Sequence, residues 1–502
     1  MTGTDSSPAA AQRASAPNGD GHAHLDRSLT HGVAWMGSVK WLSQLLAWAS
    51  TFIVARLLTP ADYGLVGLAT MYLGIVTLLS EFGIGTTVVT LRDLSQDELA
   101  QINTLSLLFG AAGFVVSCLA APLLAAFFDA PGLTWVVVAM AGIFLITGVR
   151  VVPQAILQRD MRFRDLAIND GLQSVILAVG AVVFASMGFR YWTLVLSSLL
   201  GALLSTIGVL RLVRVPFQWP RWRALSPALR FSQHTIVGRL AWYVYQNADF
   251  FVAGKLLTKD ALGAYRFGWD VAHTPVEKLT SLVGGVTPAI LSAAQHDRSA
   301  LKRYILRISE ALALLTFPAT IGIALVAGDL VPLALGDRWV SMVAPLQLLG
   351  VAAGMRSVAP ILPQVLVVTG ENRQMMRINV VGAIVMPVAF VIGAKWGTTG
   401  IAIGWLTAYP LFVLLPLAVL TFRQVHMSFG EYLHALRAPL SGVVVMSAAV
   451  WSARFLQPDD FARPWALATD IAVGAVAYGA TLLLLHRERM LAIVSRIRGA
   501  MS

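Results

Sequence analysis

Four ionisable side chains stand at helical spacing in the stretch YRFGWDVAHTPVEK, residues 265–278: Arg266, Asp270, His273 and Glu277. At about 100° per residue they fall on one narrow stripe of a helix. Such a stripe has several possible chemistries. Its guanidinium can hold an anion, its carboxylates can balance charge, and its histidine, which titrates near neutral pH, can exchange protons with a carboxylate. The same groups can instead pair among themselves, Arg266 with Asp270 and His273 with Glu277 at one-turn spacing, and simply hold helices together. As metal ligands His273 and Glu277 are too few and no third is evident, so no metal site is expected.

The chain around this stripe is oily. Of its 502 residues 57% are hydrophobic and 13% charged, with a mean hydropathy of +0.71; soluble domains are about a quarter charged. A net charge of +11 would suggest nucleic acid in a soluble protein. Here most basic residues fall in short connections between apolar segments, where they report topology, and no nucleic-acid partner is expected.

Roughly fourteen stretches have the ~20 mostly apolar residues that span a bilayer, which predicts an all-α polytopic membrane protein. Sorted by connection with the N-terminus inside, basic clusters share one side: Arg159, Arg162 and Arg164; Arg211, Arg214 and Arg221; Arg298, Lys302 and Arg303; Arg487 and Arg489. Alternate connections hold far fewer, which places both termini in the cytoplasm. The single cysteine, Cys118, lies in an apolar run and can form no internal disulfide.

Residues 1–28, rich in Ala, Ser, Pro and Gly, read as a disordered cytoplasmic tail without a signal peptide. A basic connection with two tryptophans between prolines, centred on 214–230, suits the anionic inner leaflet and marks a halfway point. It separates an N-terminal lobe, 29–213, from a C-terminal lobe, 231–424, followed by two further helices and a basic tail, 425–502. An internal repeat supports the division. RLLTPADYG at 56–64 matches KLLTKDALG at 255–263, with Lys40 and Arg239 each sixteen positions upstream, and FGIGTTVV at 82–89 faces LVGGVTPA at 282–289. About six spans separate the copies, so both halves insert the same way up and a cavity at their interface is the expected substrate path.

An ionisable group inside a span costs about 2.5–3.5 kcal/mol on insertion scales, so each needs a reason. Arg239, Tyr243 and Gln246 share a face of the helix before the stripe, flanked by Asn247 and Asp249, and Lys40 lies on the first helix with Trp41 nearby. Glu81, Arg150 and Arg356 extend the set. Polar faces on equivalent helices of both halves predict one common cavity. Pro275, Gly284, Gly285 and Pro288 would kink the stripe's helix or free its backbone, either as a packing kink or as part of a water-lined path.

The motifs FIVARLLTPADYGLVGLA, LLSEFGIGTTVV, PQAILQRDMRFRDLA and LGAYRFGWDVAHTPVEKLTSLVGGVTPAILS together resemble the Wzx-type oligosaccharide flippases of the polysaccharide transporter family, near exporters of colanic-acid-type exopolysaccharide. The resemblance covers residues from about 30 to 425. It places the chain in the multidrug/oligosaccharidyl-lipid/polysaccharide exporter superfamily and implies two pseudo-symmetric six-helix lobes, here with two extra helices. It also implies the substrate, an oligosaccharide repeat unit on undecaprenyl pyrophosphate, flipped across a bacterial inner membrane by alternating access. A polysaccharide polymerase and a chain-length regulator are the implied protein partners, and no cofactor is implied.

For such a substrate, Lys40, Arg150, Arg239, Arg266 and Arg356 are the candidate cations for the pyrophosphate. Trp41, Trp242, Tyr243, Gln246, Asn247 and Trp269 offer hydrogen bonds and aromatic platforms to sugars. Glu81, Asp249, Asp270, His273 and Glu277 are candidates for proton coupling or charge balance. The sequence contains no phosphate loop, no HExxH and no long soluble segment, which argues against an enzyme. A cation-coupled drug exporter of the same fold remains the main alternative, and a membrane polymerase or ligase the other.

Overall fold

A computed structural model describes residues 46–80, 84–90, 94–220, 240–284, 287–295, 297–458, 461–491 and 495. The tail at 1–28, most of the basic connection, and Lys40, Trp41, Glu81 and Arg239 lie outside the described residues. The first half contains helices α1 (Leu46–Leu57), α2 (Pro60–Ser80), α3 (Ile84–Thr90), α4 (Gln96–Phe127), α5 (Leu133–Arg159), α6 (Phe163–Ser186) and α7 (Trp192–Leu212). The second contains α8 (240–256), α9 (Lys259–Gly284), α10 (Thr287–Ala293), α11 (Arg298–Leu335), α12 (Val343–Ser357), α13 (Ile361–Val368), α14 (Asn372–Gly393), α15 (Gly397–Tyr409) and α16 (Leu415–Gln424). After them come α17 (Phe429–Ala435), α18 (Arg437–Leu456) and α19 (Arg463–Leu485). No strand occurs among the described residues.

Ten helical runs among these are long and apolar enough to cross a membrane. One of them, Asn372–Gln424, reverses direction at Gly397, whose φ of 68° suits a residue without a Cβ, so that α14 and α15 pack as a hairpin. Between α15 and α16 a single π-helical turn, Pro410–Leu414, begins at a proline. α9 is outside the apolar set because its stripe makes it amphipathic. It is nonetheless one unbroken helix through Pro275, described as far as Gly284.

The repeat read from sequence has a structural counterpart. Thr59 and Thr258 both start the second helix of their half. The Thr59 hydroxyl accepts from Asp62 N at 3.3 Å while donating to the Asp62 carboxylate, and the Thr258 hydroxyl accepts from Ala261 N at 3.2 Å. Among the described residues, the seven-residue helical stretches α3 and α10 follow the second helix in the two halves. The two copies also touch each other. A Cβ on Gly64 would overlap the carbonyl of Lys259, and one on Gly263 would overlap the carbonyl of Pro60, a reciprocal contact at matching positions of the motif.

Flanking groups repeat the reciprocity. Arg56 donates to the Leu333 carbonyl at 2.7 Å in the last turn of α11, and its counterpart Lys255 donates to the Phe127 carbonyl at 2.6 Å at the end of α4. Each cation thus satisfies a free C-terminal carbonyl on a helix of the other half. Buried Trp339 adds a bond from Nε1 to the Ala55 carbonyl at 3.0 Å. These contacts seal the bundle at the end where α1 turns into α2 and α8 into α9.

The last two helices pack on α11. Buried Asp470 of α19 accepts from Arg454 of α18 at 2.6 Å, and Arg454 also reaches Asp329 of α11 at 3.3 Å. The arginine therefore ties three helices together through two carboxylates.

Candidate functional site

α9 is helical from its Thr258 cap onward, so the spacing of its ionisable residues becomes a real stripe. That stripe lines a cavity of about 1130 Å³ walled by α8, α9, α12, α13, α14 and the α15–α16 leg. Arg266, Asp270, His273 and Glu277 all face it, as do Trp269 and Thr280 of the same helix. From α8 come Trp242, Gln246, Asn247 and Phe250. The cavity runs from Phe250 and Arg266, near the sealed end, toward exposed Asn372 and Arg373 at the start of α14.

Its centre is Arg356, in the last turn of α12. The guanidinium lies 4.2 Å from the ring centre of Trp405, 4.9 Å from Trp269 and 5.2 Å from Tyr409. Three π faces stabilise a cation that has lost much of its water, each contributing on the order of 0.5–2 kcal/mol. Its N–H edges donate to Gln246 Oε1 and, at 3.4 Å, to His273 Nε2. No carboxylate forms an ion pair with it among the described residues.

His273 is held on both sides. Its ring stacks on Trp269 at 3.8 Å, and Nδ1 lies 3.0 Å from the Trp269 carbonyl. A proton on Nδ1 donated to that carbonyl leaves Nε2 free to accept from Arg356. The one-turn pair of His273 with Glu277 is therefore replaced by a contact that α12 supplies from outside the helix. Arg266 does pair with Asp270, Nε to Oδ2 at 3.4 Å, and lies 4.6 Å over the ring of Phe250.

Behind the wall, Asp249 is fully buried and does not line the cavity. It accepts from Tyr265 Oη at 2.9 Å, Trp405 Nε1 at 3.0 Å and its neighbour Phe250 N at 2.9 Å. Those bonds fix Trp405, and Trp405 in turn carries Arg356. Asp249 is thus a support for the cation cage.

The other described residues singled out in the sequence lie elsewhere. Tyr243 donates to the Met71 carbonyl at 2.9 Å in the space left by Gly74, joining α8 to α2. Arg150 donates to Ser205 at 2.9 Å, and Ser205 also accepts from Asn169 at 2.7 Å, a cluster of α5, α6 and α7 apart from the cavity. Lys40, Trp41, Glu81 and Arg239 are not among the described residues. Trp405, Tyr409, Tyr265 and Arg373 belong to the site but carry no marked sequence signal. The first two sit four residues apart in WLTAYP, one helical face, and that spacing before a proline is the trace they leave.

Residues 53–344 match the family described as polysaccharide biosynthesis protein. The chain is 24% identical over 476 residues to the succinoglycan biosynthesis transport protein ExoT of Rhizobium meliloti, covering 93% of this chain and 94% of that one. It is 23% identical over 395 residues to the lipopolysaccharide biosynthesis protein WzxC of Escherichia coli, 77% of this chain and 80% of that one. Among solved structures the lipid II flippase MurJ, in an inward closed conformation, superposes with a TM-score of 0.73 at 12% identity over 91% of this chain and all of that one. The helices, the repeat and the matched residues lead to one statement: this multi-pass membrane protein belongs to the polysaccharide biosynthesis protein family.

Proposed function

We propose that the protein flips a polyprenyl-pyrophosphate-linked oligosaccharide repeat unit from the cytoplasmic to the outer leaflet of a bacterial inner membrane, by alternating access and without catalysing a chemical step. The observation that carries this reading is the cage around Arg356. A cation held by aromatic faces, with no carboxylate ion-paired to it among the described residues, suits an anion, and the surrounding Trp, Gln, Asn and Tyr side chains suit sugars. At about 1130 Å³ the cavity exceeds the ~300–1,000 Å³ usual for small ligands, as an oligosaccharide head group requires. The roles of ExoT in transport and of MurJ as a flippase fit the same reading.

In this reading α1, α8 and α9 also cross the membrane and the α14–α16 run crosses twice, giving about fourteen crossings in two six-helix lobes and a C-terminal pair. Both termini face the cytoplasm, and the cavity opens to that side. Pyrophosphate replaces Gln246 and His273 on the N–H edges of Arg356. Arg266, balanced by Asp270, serves as the second cation, while Arg373 meets the substrate at the mouth.

The test is genetic and chemical. In cells lacking the gene, lipid-linked repeat units should accumulate on the inner leaflet, and wild-type protein should clear them. A variant with Arg356→Ala and Arg266→Ala together should insert but leave the pool uncleared; export at wild-type level from that variant would remove the anion site from the account.

A further inference from the structure

A second pocket, of about 460 Å³, lies in the first half, at the end of the bundle where the arginine-rich connections gather. It is bounded by α4, α5, α7 and the extended segment 213–220. That segment crosses the start of α4 as a strap. Asn103 Nδ2 donates to the Val215 carbonyl at 3.1 Å, and Gln218 donates from Nε2 to Asp97 at 2.9 Å. Val149, Ile207, Leu210 and Phe217 make the walls apolar, whereas Arg211 and Arg214 stand exposed at the rim. Neither arginine has a partner among the described residues. Asn103, 1% exposed, lines the same pocket, and its buried Oδ1 accepts no hydrogen bond.

An apolar slot, two guanidinium groups at its rim without a partner among the described residues, and an orphan acceptor on a residue of its lining describe one chemistry. The acceptor calls for a hydroxyl or amine donor, because a buried polar oxygen without a partner is costly. The guanidinium groups call for a phosphodiester. We propose that this pocket holds one anionic glycerophospholipid of the cytoplasmic leaflet, its phosphate on Arg211 and Arg214, a headgroup hydroxyl toward Asn103 and part of an acyl chain along Val149, Ile207 and Leu210. The charge asymmetry of the connections assigns that leaflet. Exposed Trp219, on the same strap, sits where an aromatic ring prefers the membrane interface.

The lipid pins the strap that leads out of the first half, so its site is separate from the substrate cavity. Purified full-length protein, mixed with dioleoylphosphatidylglycerol or dioleoylphosphatidylethanolamine, can be read by native mass spectrometry. One copy of phosphatidylglycerol should be retained in preference to phosphatidylethanolamine. The double variant R211A/R214A should weaken that retention by about tenfold or more. R211K/R214K should keep most of it, and Leu210→Trp, which fills the slot while leaving the charges, should abolish it. A thermal melt confirms that each variant is folded. Equal retention of the two lipids, or retention unchanged in R211A/R214A or Leu210→Trp, would overturn the proposal. So would displacement of phosphatidylglycerol by an equimolar short-chain polyprenyl pyrophosphate, since the pocket would then belong to the transported lipid.

Discussion

At the scale of single residues the account rests on Arg356. Replacing it with alanine removes the charge-assisted hydrogen bond proposed to the substrate, about 1.5–3 kcal/mol, so transport should fall by about 10- to 100-fold while the amount of folded protein holds. Export rates normalised to membrane protein level check this. Arg356→Lys should recover little, because an ammonium lacks the planar face that lies on Trp405, Trp269 and Tyr409. Asp249→Leu should lower transport through a different route, by freeing Trp405 and Tyr265 from their shared acceptor; a loss of Trp fluorescence anisotropy on substrate-free protein distinguishes the two. Arg356 and the α9 stripe were legible in the sequence because charge in an apolar run is conspicuous. Trp405 and Tyr409 were not, since an aromatic in a hydrophobic helix looks the same whether it faces lipid, a neighbour or a cation. Nor was the partner of His273, because local spacing offers Glu277 while the packing of α12 on α9 brings Arg356.

At the scale of elements, the reciprocal contact of α2 with α9 is the clearest joint between the halves. Gly64→Leu or Gly263→Leu places a side chain where the other helix has its backbone, so the sealed end should be forced apart. In a Cys118→Ser background, a cysteine replacing Ala264, buried in the parent, should become reactive to a membrane-impermeant thiol reagent when Gly64→Leu is added. Unchanged protection would show that the seal does not depend on the glycine contact. The repeat motif was visible in sequence, but its meaning was not: a similarity between two segments does not say that the segments touch. The C-terminal pair offers a separate test. Asp470→Ala strips Arg454 of its shortest ion pair and should cost about 2 kcal/mol, less than for a fully buried pair because the arginine is partly exposed. A thermal unfolding shift in detergent reads it, and Arg454→Met with Asp470→Leu should restore most of the loss.

At the scale of the whole molecule, the all-helical membrane fold follows from composition and from apolar segments of bilayer length, both read directly from the chain. The cavity could be expected from the repeat, yet its walls could not. Among the described residues they come from the second half, and the cation that centres it lies on α12, far in sequence from the stripe that faces it. With one end sealed by α2, α9, Arg56, Lys255 and Trp339, and the cavity running toward Arg373 at the other, the molecule has the form of a transporter open at one end, which the proposed topology makes the cytoplasmic one. The central claim is that this cavity carries a lipid-linked oligosaccharide across the bilayer by means of Arg356. Purified protein in liposomes containing a fluorescent polyprenyl-pyrophosphate oligosaccharide, with a membrane-impermeant lectin or glycosidase reporting the outer leaflet, measures it directly. The account predicts movement of the labelled lipid with wild-type protein and at least about tenfold slower movement with folded Arg356→Ala; no movement above protein-free liposomes, or equal rates for the two proteins, would contradict it.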